Sequence, residues 1–161
     1  MKDPFAEKQG LPPVYSPQCE ILILGSFPSV LSRANFYYGN PRNRFWRMLE
    51  EVFRAPVPPD KQGRAEFLLA HKIALWDVVG RCLISGSGDA DIKAATIVQI
   101  NDIPALTAGG NIKKILCNGG KSFALFNKYF GKSGMPAAVQ MPSTSPANFK
   151  FSLDEWKNQL V

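Results

Sequence analysis

The sequence is almost without histidine: His71 is the only one in 161 residues. The three cysteines, Cys19, Cys82 and Cys117, are too far apart to form a C-x-x-C motif. A structural zinc site takes about four nitrogen or sulfur ligands, so we expect no metal. A Ser-His-Asp triad is excluded unless His71 supplies its base. Free cysteines are usually buried, and we expect this of Cys19 and Cys117, which lie in or beside apolar runs.

Long hydrophobic runs are also missing. The longest, such as 21–24, are far too short to cross a bilayer, which takes about 20 apolar residues. The first residues, Met1-Lys2-Asp3-Pro4, have neither the apolar stretch nor the small-residue cleavage site of a signal peptide. We therefore expect a cytoplasmic protein. A length of 161 residues predicts one domain, 1–161, with one hydrophobic core.

The sequence does contain an excess of positive charge. The formal net charge of +6 favours an anionic partner without identifying one. The arginines Arg33, Arg42, Arg44, Arg47 and Arg54 are interleaved with aromatic residues. Such a segment suits phosphate contacts combined with base stacking. It equally suits a helix with a solvated basic face.

Hydrophobic patterning predicts strands that alternate with helices. Continuous apolar runs predict buried strands at 21–24, 73–79, 112–117 and 138–141. Helical spacing predicts helices at 43–53, 64–71 and 121–130, a capping box opens a last helix at 152, and 85–89 has loop composition. The predicted fold class is α/β, a three-layer α/β/α sandwich with a central, mostly parallel four-stranded sheet. Ligands bind beyond the carboxyl ends of such strands, so we expect the loops after strands one, two and four to converge.

The first of these loops is Gly25-Ser26-Phe27-Pro28-Ser29. Gly25 ends the strand and lets the backbone approach a ligand closely, while Pro28 fixes the turn. Backbone N–H groups at Ser26 and Phe27 would then point at an oxygen or a developing anion. The same residues are also typical of an ordinary turn.

The second segment, 35–46, ends where a helix should begin. Asn43 stands at that position, so it is an N-cap, a group that holds a water molecule, or both. The phenylalanine and tryptophan at 45 and 46 lie on the apolar stripe and are predicted core residues. Phe36, Tyr37 and Tyr38 lie outside any periodic pattern, so we expect exposed base stacking from one of them. The third segment, 141–148, combines two prolines with three hydroxyl residues and predicts a stiff loop able to donate to phosphates.

In this order, the three segments resemble the uracil-DNA glycosylase superfamily. The residues that carry the resemblance are the Gly-x-x-Pro turn at 25–28, Asn-Pro-Arg-Asn-Arg-Phe-Trp at 40–46 and Pro-Ser-Thr-Ser-Pro at 142–146. The fuller pattern, Tyr-Tyr-Gly-Asn-Pro-Arg-Asn at 37–43 with Leu-Trp-Asp-Val at 75–78 and Ala-Asn at 147–148, is most similar to the hypoxanthine-DNA (deoxyinosine) glycosylase branch. The resemblance extends from strand one to the end of the chain.

The resemblance implies a monofunctional DNA glycosylase that flips a deaminated base out of DNA and excises it hydrolytically. Hypoxanthine is the expected substrate. The partner would be DNA, with no cofactor, no membrane and no obligate protein partner, and we expect a monomer. The asparagine of the Pro-Arg-Asn stretch is implicated in catalysis in that branch and maps to Asn43. The expected base-binding residues are Gly25, Ser26, Phe27, Phe36, Tyr37, Asp77 and Asn118. The expected DNA-binding residues are Arg42, Ser143, Thr144, Ser145, Ala147 and Asn148.

The sequence also departs from the superfamily pattern. Other branches place Asp, Asn or Glu where Phe27 stands, and phenylalanine cannot activate water. The last loop lacks the histidine of the efficient uracil enzymes and has Ser143 nearby instead. Because the amide of Asn43 is a poor base, we expect slow turnover that depends on leaving-group stabilisation and positioning. Ala147, near the tip of the last loop, is a poor wedge, so flipping would depend on an already weak base pair.

Several alternatives stay open at this point. Asp77 is either a base-edge contact or a structural carboxylate that caps a turn, and Asn118 is similarly ambiguous. No lysine is placed for Schiff-base chemistry, so we expect no strand cleavage. The substrate is alternatively uracil or mismatched thymine, and a non-catalytic DNA-binding protein of the same fold is a further alternative. Gly120-Lys121-Ser122 resembles part of a phosphate-binding loop, but that motif needs glycine where Ile115 stands.

Overall fold

The computed structural model describes residues 7–83 and 96–161. The first four residues and the predicted loop at 85–89 lie outside these ranges. In chain order the elements are β1 Glu7–Gln9, β2 Ile21–Gly25, α1 Val30–Ala34, α2 Phe45–Phe53, α3 Lys61–Ala70, β3 Ile73–Asp77, β4 Val79–Leu83, β5 Ile97–Ile100, α4 Ile103–Ala108, β6 Lys114–Asn118, α5 Gly120–Phe130, β7 Ala138–Met141 and α6 Leu153–Leu160.

The main sheet has the strand order β3-β2-β6-β7, and all three pairings are parallel. This confirms the predicted four-stranded parallel sheet. The central strand β2 is buried on both faces, as its continuous apolar run predicts. Ile23 faces a core shared with α2, α3 and α6, whereas Leu22 and Leu24 face a second core shared with α4 and α5. The sheet is therefore the middle layer of a three-layer sandwich.

A second, three-stranded sheet was not predicted from the sequence. It has the order β1-β4-β5 and is antiparallel. The predicted strand 73–79 is wrong at its end, since β3 stops at Asp77 and the chain enters the second sheet at Val79. The N–H groups of Val78 and Val79 donate to the carbonyls of Gly25 and Ser26 (2.9 and 3.0 Å). These bonds hold the exit of β3 against the loop after β2.

The predicted helices are confirmed within a few residues at each end. Ser152 caps α6 as predicted, because the N–H of Glu155 donates to Ser152 Oγ at 3.4 Å. Two short helices, α1 and α4, were not predicted. Cys19 and Cys117 are buried free thiols as expected, and Cys82 is buried too. Across residues 7–83 and 96–161, the helices are too short or too polar to span a bilayer.

The carboxyl ends of the four parallel strands meet at one edge of the main sheet. Gly25 at the end of β2 is in register with Asp77 at the end of β3, and Asn118 at the end of β6 is in register with Met141 at the end of β7. The loops that follow these strands start side by side. The predicted convergence of loops is thus a consequence of the strand register.

Candidate active site

A cavity of about 290 Å³ opens at this edge of the sheet. Ligand pockets begin at about 300 Å³, so the cavity suits a ligand as small as one nucleic-acid base. Its lining residues come from all three segments singled out in the sequence and from the ends of β3 and β6. They are Gly25, Ser26, Phe27, Pro28, Ser29, Ser32, Tyr37, Tyr38, Asn40, Asn43, Asp77, Asn118, Ser143, Thr144, Ser145 and Pro146.

The floor of the cavity depends on the absence of a side chain at Gly25. A Cβ atom there would overlap Asp77 Oδ1 and would lie 3.2 Å from the hydroxyl of Tyr38. The sequence predicted that Gly25 lets a ligand approach the backbone. Gly25 lines the cavity, and the structure gives it a further task, because it makes room for the Asp77 carboxylate and the Tyr38 hydroxyl.

Asp77 is 4% exposed and lines the cavity. Asn101 fixes its backbone, since Asn101 Nδ2 donates to the Asp77 carbonyl at 2.8 Å. The carboxylate also acts on Tyr37: burial first, and then the negative charge of Asp77, raises the pKa of the Tyr37 phenol far above its usual value. Tyr37 is therefore a neutral donor, and its hydroxyl donates to the Pro12 carbonyl at 2.7 Å.

Phe27 forms an apolar surface on the cavity wall. Its ring is 7% exposed, and the Arg33 guanidinium lies 5.3 Å from the ring centroid. Arg33 is fixed in turn, because its Nη1 donates to the Pro28 carbonyl at 2.9 Å. A cation over one face of the ring holds its orientation, so Phe27 is a rigid surface on which a planar base can lie.

The short helix α1 brings Ser32 into the cavity beside Ser29, and the sequence did not single out Ser32. Ser29 Oγ accepts from the Ser32 N–H at 3.2 Å and caps the helix, and Ser32 Oγ accepts from the Gly39 N–H at 3.2 Å. The Ser-x-x-Ser spacing of a helix cap was the available signal. This spacing did not predict a helix, because the composition of the segment is that of a polar loop.

Asn43 lines the cavity. Arg44 stands directly before α2 but already has helical angles (φ −82°, ψ −4°), so Asn43 caps this first turn by accepting from the N–H two residues on. Its Oδ1 accepts from the Phe45 N–H at 3.0 Å, and its own N–H donates to the Asn40 carbonyl at 2.9 Å. An amide oxygen has two lone pairs and the amide nitrogen two donors. The helix cap uses one lone pair of Oδ1, so the side chain is held in one orientation while it keeps further hydrogen-bonding capacity.

The aromatic residues after α1 behave differently from one another. Phe36 is 8% exposed and stacks on Trp46 with a centroid distance of 6.0 Å, and it does not contribute to the cavity lining. The expectation of exposed base stacking by Phe36 is therefore corrected: its ring belongs to the core. Tyr37 and Tyr38 do line the cavity, but Tyr37 is 2% exposed and belongs to the same core, so the expectation of an exposed ring is corrected for Tyr37 as well. Tyr38 packs 4.1 Å from the Phe45 ring and has a positive φ of 52°.

The loop formed by residues 142–148, called the 142–148 loop, is tied to the sheet at its start. Trp156 Nε1 donates to the Pro142 carbonyl at 2.9 Å. Asn118 Nδ2 donates to Thr144 Oγ1 at 2.9 Å, and Asn118 Oδ1 accepts from the Thr144 N–H at 3.0 Å. Both ends of the Asn118 amide thus position the loop, although Asn118 was predicted to bind the base.

Arg44 ties the far end of the 142–148 loop to the start of α2. Its Nη1 donates to the carbonyls of Ser145 and Asn148 at 2.9 and 3.0 Å, and its own N–H donates to the Thr144 carbonyl at 3.0 Å. In the sequence, Arg44 is one of the arginines interleaved with aromatic residues, and no role is predicted for it. The available signal for a role of Arg44 was its position directly after Asn43 in the motif.

The predicted DNA-binding residues differ in their surroundings. Thr144 is fully buried and bonded to Asn118, so it supports the loop and the expectation of a DNA contact is corrected. Ser143 and Ser145 line the cavity, and each Oγ accepts from the N–H two residues on, at 3.1 and 3.2 Å. Asn148 Nδ2 donates to the Ser143 carbonyl at 2.9 Å. Arg42 and Ala147 are exposed.

Replacing Arg44 with alanine is expected to loosen the 142–148 loop. Hydrogen bonds to a charged group contribute about 1.5–3 kcal/mol each to stability, so we expect Arg44→Ala to lower the free energy of unfolding by about 2 kcal/mol. Arg44→Lys should restore only part of this, because lysine lacks the planar fork. Urea unfolding of the three proteins measures the effect.

Lys132→Ala is the matched control for Arg44→Ala, since it also removes one positive charge. Lys132 is exposed and follows α5 at the end remote from the cavity. If Arg44→Ala and Lys132→Ala unfold at the same urea concentration, the bonds of Arg44 to the loop do not stabilise the fold.

The phosphate-loop alternative finds no support at Gly120-Lys121-Ser122. Ser122 is 1% exposed, and its Oγ donates to the Gly119 carbonyl at 3.1 Å. A hydroxyl committed to the first turn of α5 is not directed at a phosphate. The segment instead opens the helix behind β6.

Comparison with known proteins identifies relatives over most of the chain, although no family model matches it. The chain is 41% identical over 118 residues to a hypoxanthine DNA glycosylase of Methanosarcina barkeri, covering 72% of this chain and 73% of the relative. It is 34% identical over 155 residues to a hypoxanthine DNA glycosylase of Methanosarcina acetivorans, covering 93% and 96%. A solution NMR structure from Methanosarcina acetivorans, described provisionally as a uracil DNA glycosylase, matches with a TM-score of 0.79 at 33% identity over 96% of this chain and 97% of that one.

A parallel sheet with a base-sized cavity at its carboxyl edge, matched by that solved structure, defines an enzyme of the uracil-DNA glycosylase superfamily. Within the superfamily, this chain belongs to the hypoxanthine DNA glycosylase family. DNA glycosylases hydrolyse the N-glycosidic bond between base and deoxyribose. The family resemblance found in the sequence is thereby confirmed.

Proposed function

We propose that this protein releases hypoxanthine from DNA by hydrolysis, as a monofunctional enzyme of base excision repair. The observation that carries the proposal is the position of Asn43 on the wall of a base-sized cavity, with its Oδ1 fixed by the Phe45 N–H. The relatives named hypoxanthine DNA glycosylase support the choice of base.

Base recognition is assigned to Asp77. Hypoxanthine carries a ring N–H beside its carbonyl, whereas adenine has a bare ring nitrogen at that position. A carboxylate only accepts hydrogen bonds, so Asp77 suits the ring N–H of hypoxanthine and is repelled by the lone pair of adenine. Uracil and xanthine also carry such an N–H, as do guanine and thymine, so this contact accounts for the choice of hypoxanthine over adenine. The base is expected to lie against Phe27, with Tyr37 beside it.

The attacking water is assigned to Asn43. One lone pair of Oδ1 is used by the Phe45 N–H at 3.0 Å, and the second accepts a hydrogen bond from the water. The water oxygen then bonds to the sugar carbon C1′ while the bond from C1′ to the base nitrogen breaks. The electron pair of that bond leaves with the base as an anion. The water loses one proton to solvent, and the base anion takes up one proton from solvent, so that neutral hypoxanthine is formed. The products are free hypoxanthine and an abasic sugar.

Stabilisation of the departing base is assigned to the 25–29 turn. Negative charge develops on the leaving base, and the backbone donors of Ser26 and Phe27 are the predicted partners for it, as in an oxyanion hole. No lysine among the residues that line the cavity offers an amine for attack on C1′. We therefore expect an intact abasic strand as product.

The test is base release from end-labelled duplexes that carry one hypoxanthine, uracil, xanthine or mismatched thymine, with alkali to expose abasic sites. Hypoxanthine release above the others, with strand breaks appearing only after alkali, is the expected result. Uracil release far above hypoxanthine would assign the protein to uracil repair instead. DNA binding without release of any base would identify a non-catalytic member of the fold.

The remaining expectations concern the protein as a whole. One domain that acts as a monomer in the cytoplasm, without a cofactor, is sufficient for the proposed reaction. Sedimentation of the protein with and without an abasic duplex measures the stoichiometry, and a 1:1 complex is expected.

A further inference from the structure

Phe149, directly after the 142–148 loop, is 94% exposed. An apolar ring normally gains from burial, and its neighbour Phe151 lies half-buried under the Arg44 guanidinium, 5.4 Å from the ring centroid. The two phenylalanines therefore have opposite surroundings although they are two residues apart. An aromatic ring exposed beside a ligand cavity is available for contact with a partner, and aromatic residues are enriched at such interfaces.

The backbone on both sides of Phe149 is held in place. Before it, the Asn148 carbonyl accepts from Arg44 Nη1 at 3.0 Å, and Asn148 Nδ2 donates to the Ser143 carbonyl at 2.9 Å. After it, the Lys150 N–H donates to Asn148 Oδ1 at 3.0 Å. Ser143 lines the cavity. The exposed ring is thus carried on a fixed backbone close to the cavity mouth.

We propose that Phe149 is the wedge that enters the DNA base stack when the target nucleotide turns into the cavity; this inference rests on the proposed function. A flipped nucleotide leaves a gap, and enzymes that flip bases must offset the lost stacking and pairing. Apolar side chains inserted between base steps fill such gaps. Ala147 is exposed too, but its methyl group is too small to replace a base.

The charges around Phe149 suit this position on DNA. Lys150, next to it in the chain, and Arg47 on α2 are both exposed. A groove beside the loop is lined by Arg44, Arg47 and Phe151, together with Met48 and one carboxylate, Glu51. The cations outnumber this carboxylate and can contact phosphates close to the opened step. Positive charge near the wedge favours binding to the DNA backbone.

The test compares hypoxanthine release by the wild type, Phe149→Ala, Phe149→Trp and a control, Tyr129→Ala. Tyr129 is 39% exposed near the end of α5. The helix starts at the cavity edge, and Tyr129 lies roughly 14 Å along it from that start. Each protein is assayed on a duplex with hypoxanthine opposite cytosine and on the same strand without its complement. Removal of an aromatic side chain on which a base stacks lowers binding by about 10- to 100-fold.

Phe149→Ala should lose about 10- to 100-fold in kcat/KM on the duplex and keep near wild-type activity on the single strand, which has no stack to fill. Phe149→Trp should restore duplex activity, and Tyr129→Ala should match the wild type on both. Equal activity of Phe149→Ala and wild type on the duplex overturns the wedge, and so does an equal loss on both substrates. Failure of the wild type to release hypoxanthine from either substrate contradicts the proposed function itself.

A second readout does not need catalysis. The tryptophan fluorescence of Phe149→Trp, after subtraction of the wild-type signal, should be quenched when the protein binds a duplex with a hydrolysis-resistant deoxyinosine analogue. Binding of the single strand should quench it much less. Stacking between bases is the cause of the expected quenching. Equal quenching by both nucleic acids overturns the wedge even if the enzyme is active.

Discussion

Asn43→Ala is expected to lower kcat/KM for hypoxanthine release by about 10²- to 10³-fold, the usual effect of removing one preorganised hydrogen-bonding group from an active site. The alanine variant loses the Oδ1 that is assigned to the attacking water. It also loses the cap on α2, where Oδ1 accepts from the Phe45 N–H at 3.0 Å. Loss of an N-cap costs about 1 kcal/mol of stability, so both activity and urea unfolding are to be measured.

Asn43→Asp separates the two tasks of this side chain. Aspartate caps helices as well as asparagine does and also accepts a hydrogen bond from water, so this variant should keep both the stability and most of the activity. If Asn43→Asp is as stable as the wild type but as inactive as Asn43→Ala, the donors on Nδ2 carry the catalytic role. If Asn43→Ala keeps full activity, the residue is only a helix cap.

Asp77→Ala is expected to lower hypoxanthine release by about 10- to 100-fold, because a hydrogen bond to a charged group is worth about 1.5–3 kcal/mol. The carboxylate is 4% exposed, so its contact with the base would be made away from water. The measurement is single-turnover base release from a duplex, with the bound fraction determined separately. A loss in the chemical step at unchanged DNA binding is the expected pattern.

Methylation of the base tests this contact from the other side. A duplex with 1-methylhypoxanthine lacks the ring N–H that Asp77 is proposed to accept. The wild type should release it poorly, and Asp77→Ala should discriminate little between the two bases, so that the two changes are not additive. Additive losses would instead mean that Asp77 supports the cavity floor beside Gly25 and does not touch the base.

Much of the fold could be predicted because its signals are local. The continuous run at 21–24 has the pattern of a strand buried on both faces, and Ser152 with Glu155 has the pattern of a helix start. The second sheet escaped prediction because its strands are short and lack a clear alternation. The run at 73–79 predicts one strand, since nothing local marks the point at which the chain leaves the main sheet after Asp77 and enters the second sheet.

The candidate site was predicted in outline for the same reason. The motif order pointed to Asn43 and to the loops after three strands, and the structure brings these segments together around one cavity. Side-chain roles within the motifs were harder to infer. Thr144 and Asn118 were predicted to contact DNA and base, but their side chains bond to each other across 26 residues of sequence.

The main helices and strands and the family could be predicted from the sequence, because neighbouring residues specify the elements and the motifs identify the family. Which side chains face the cavity depends on the tertiary structure. Phe36 turns into the core while Tyr38 reaches Gly25, and Arg44 binds the carbonyl of Ser145, 101 residues away. Periodicity and capping depend on residues a few positions apart. Contacts across a hundred residues depend on how the strands are ordered in the sheet, and that order is set by the packing of the whole chain.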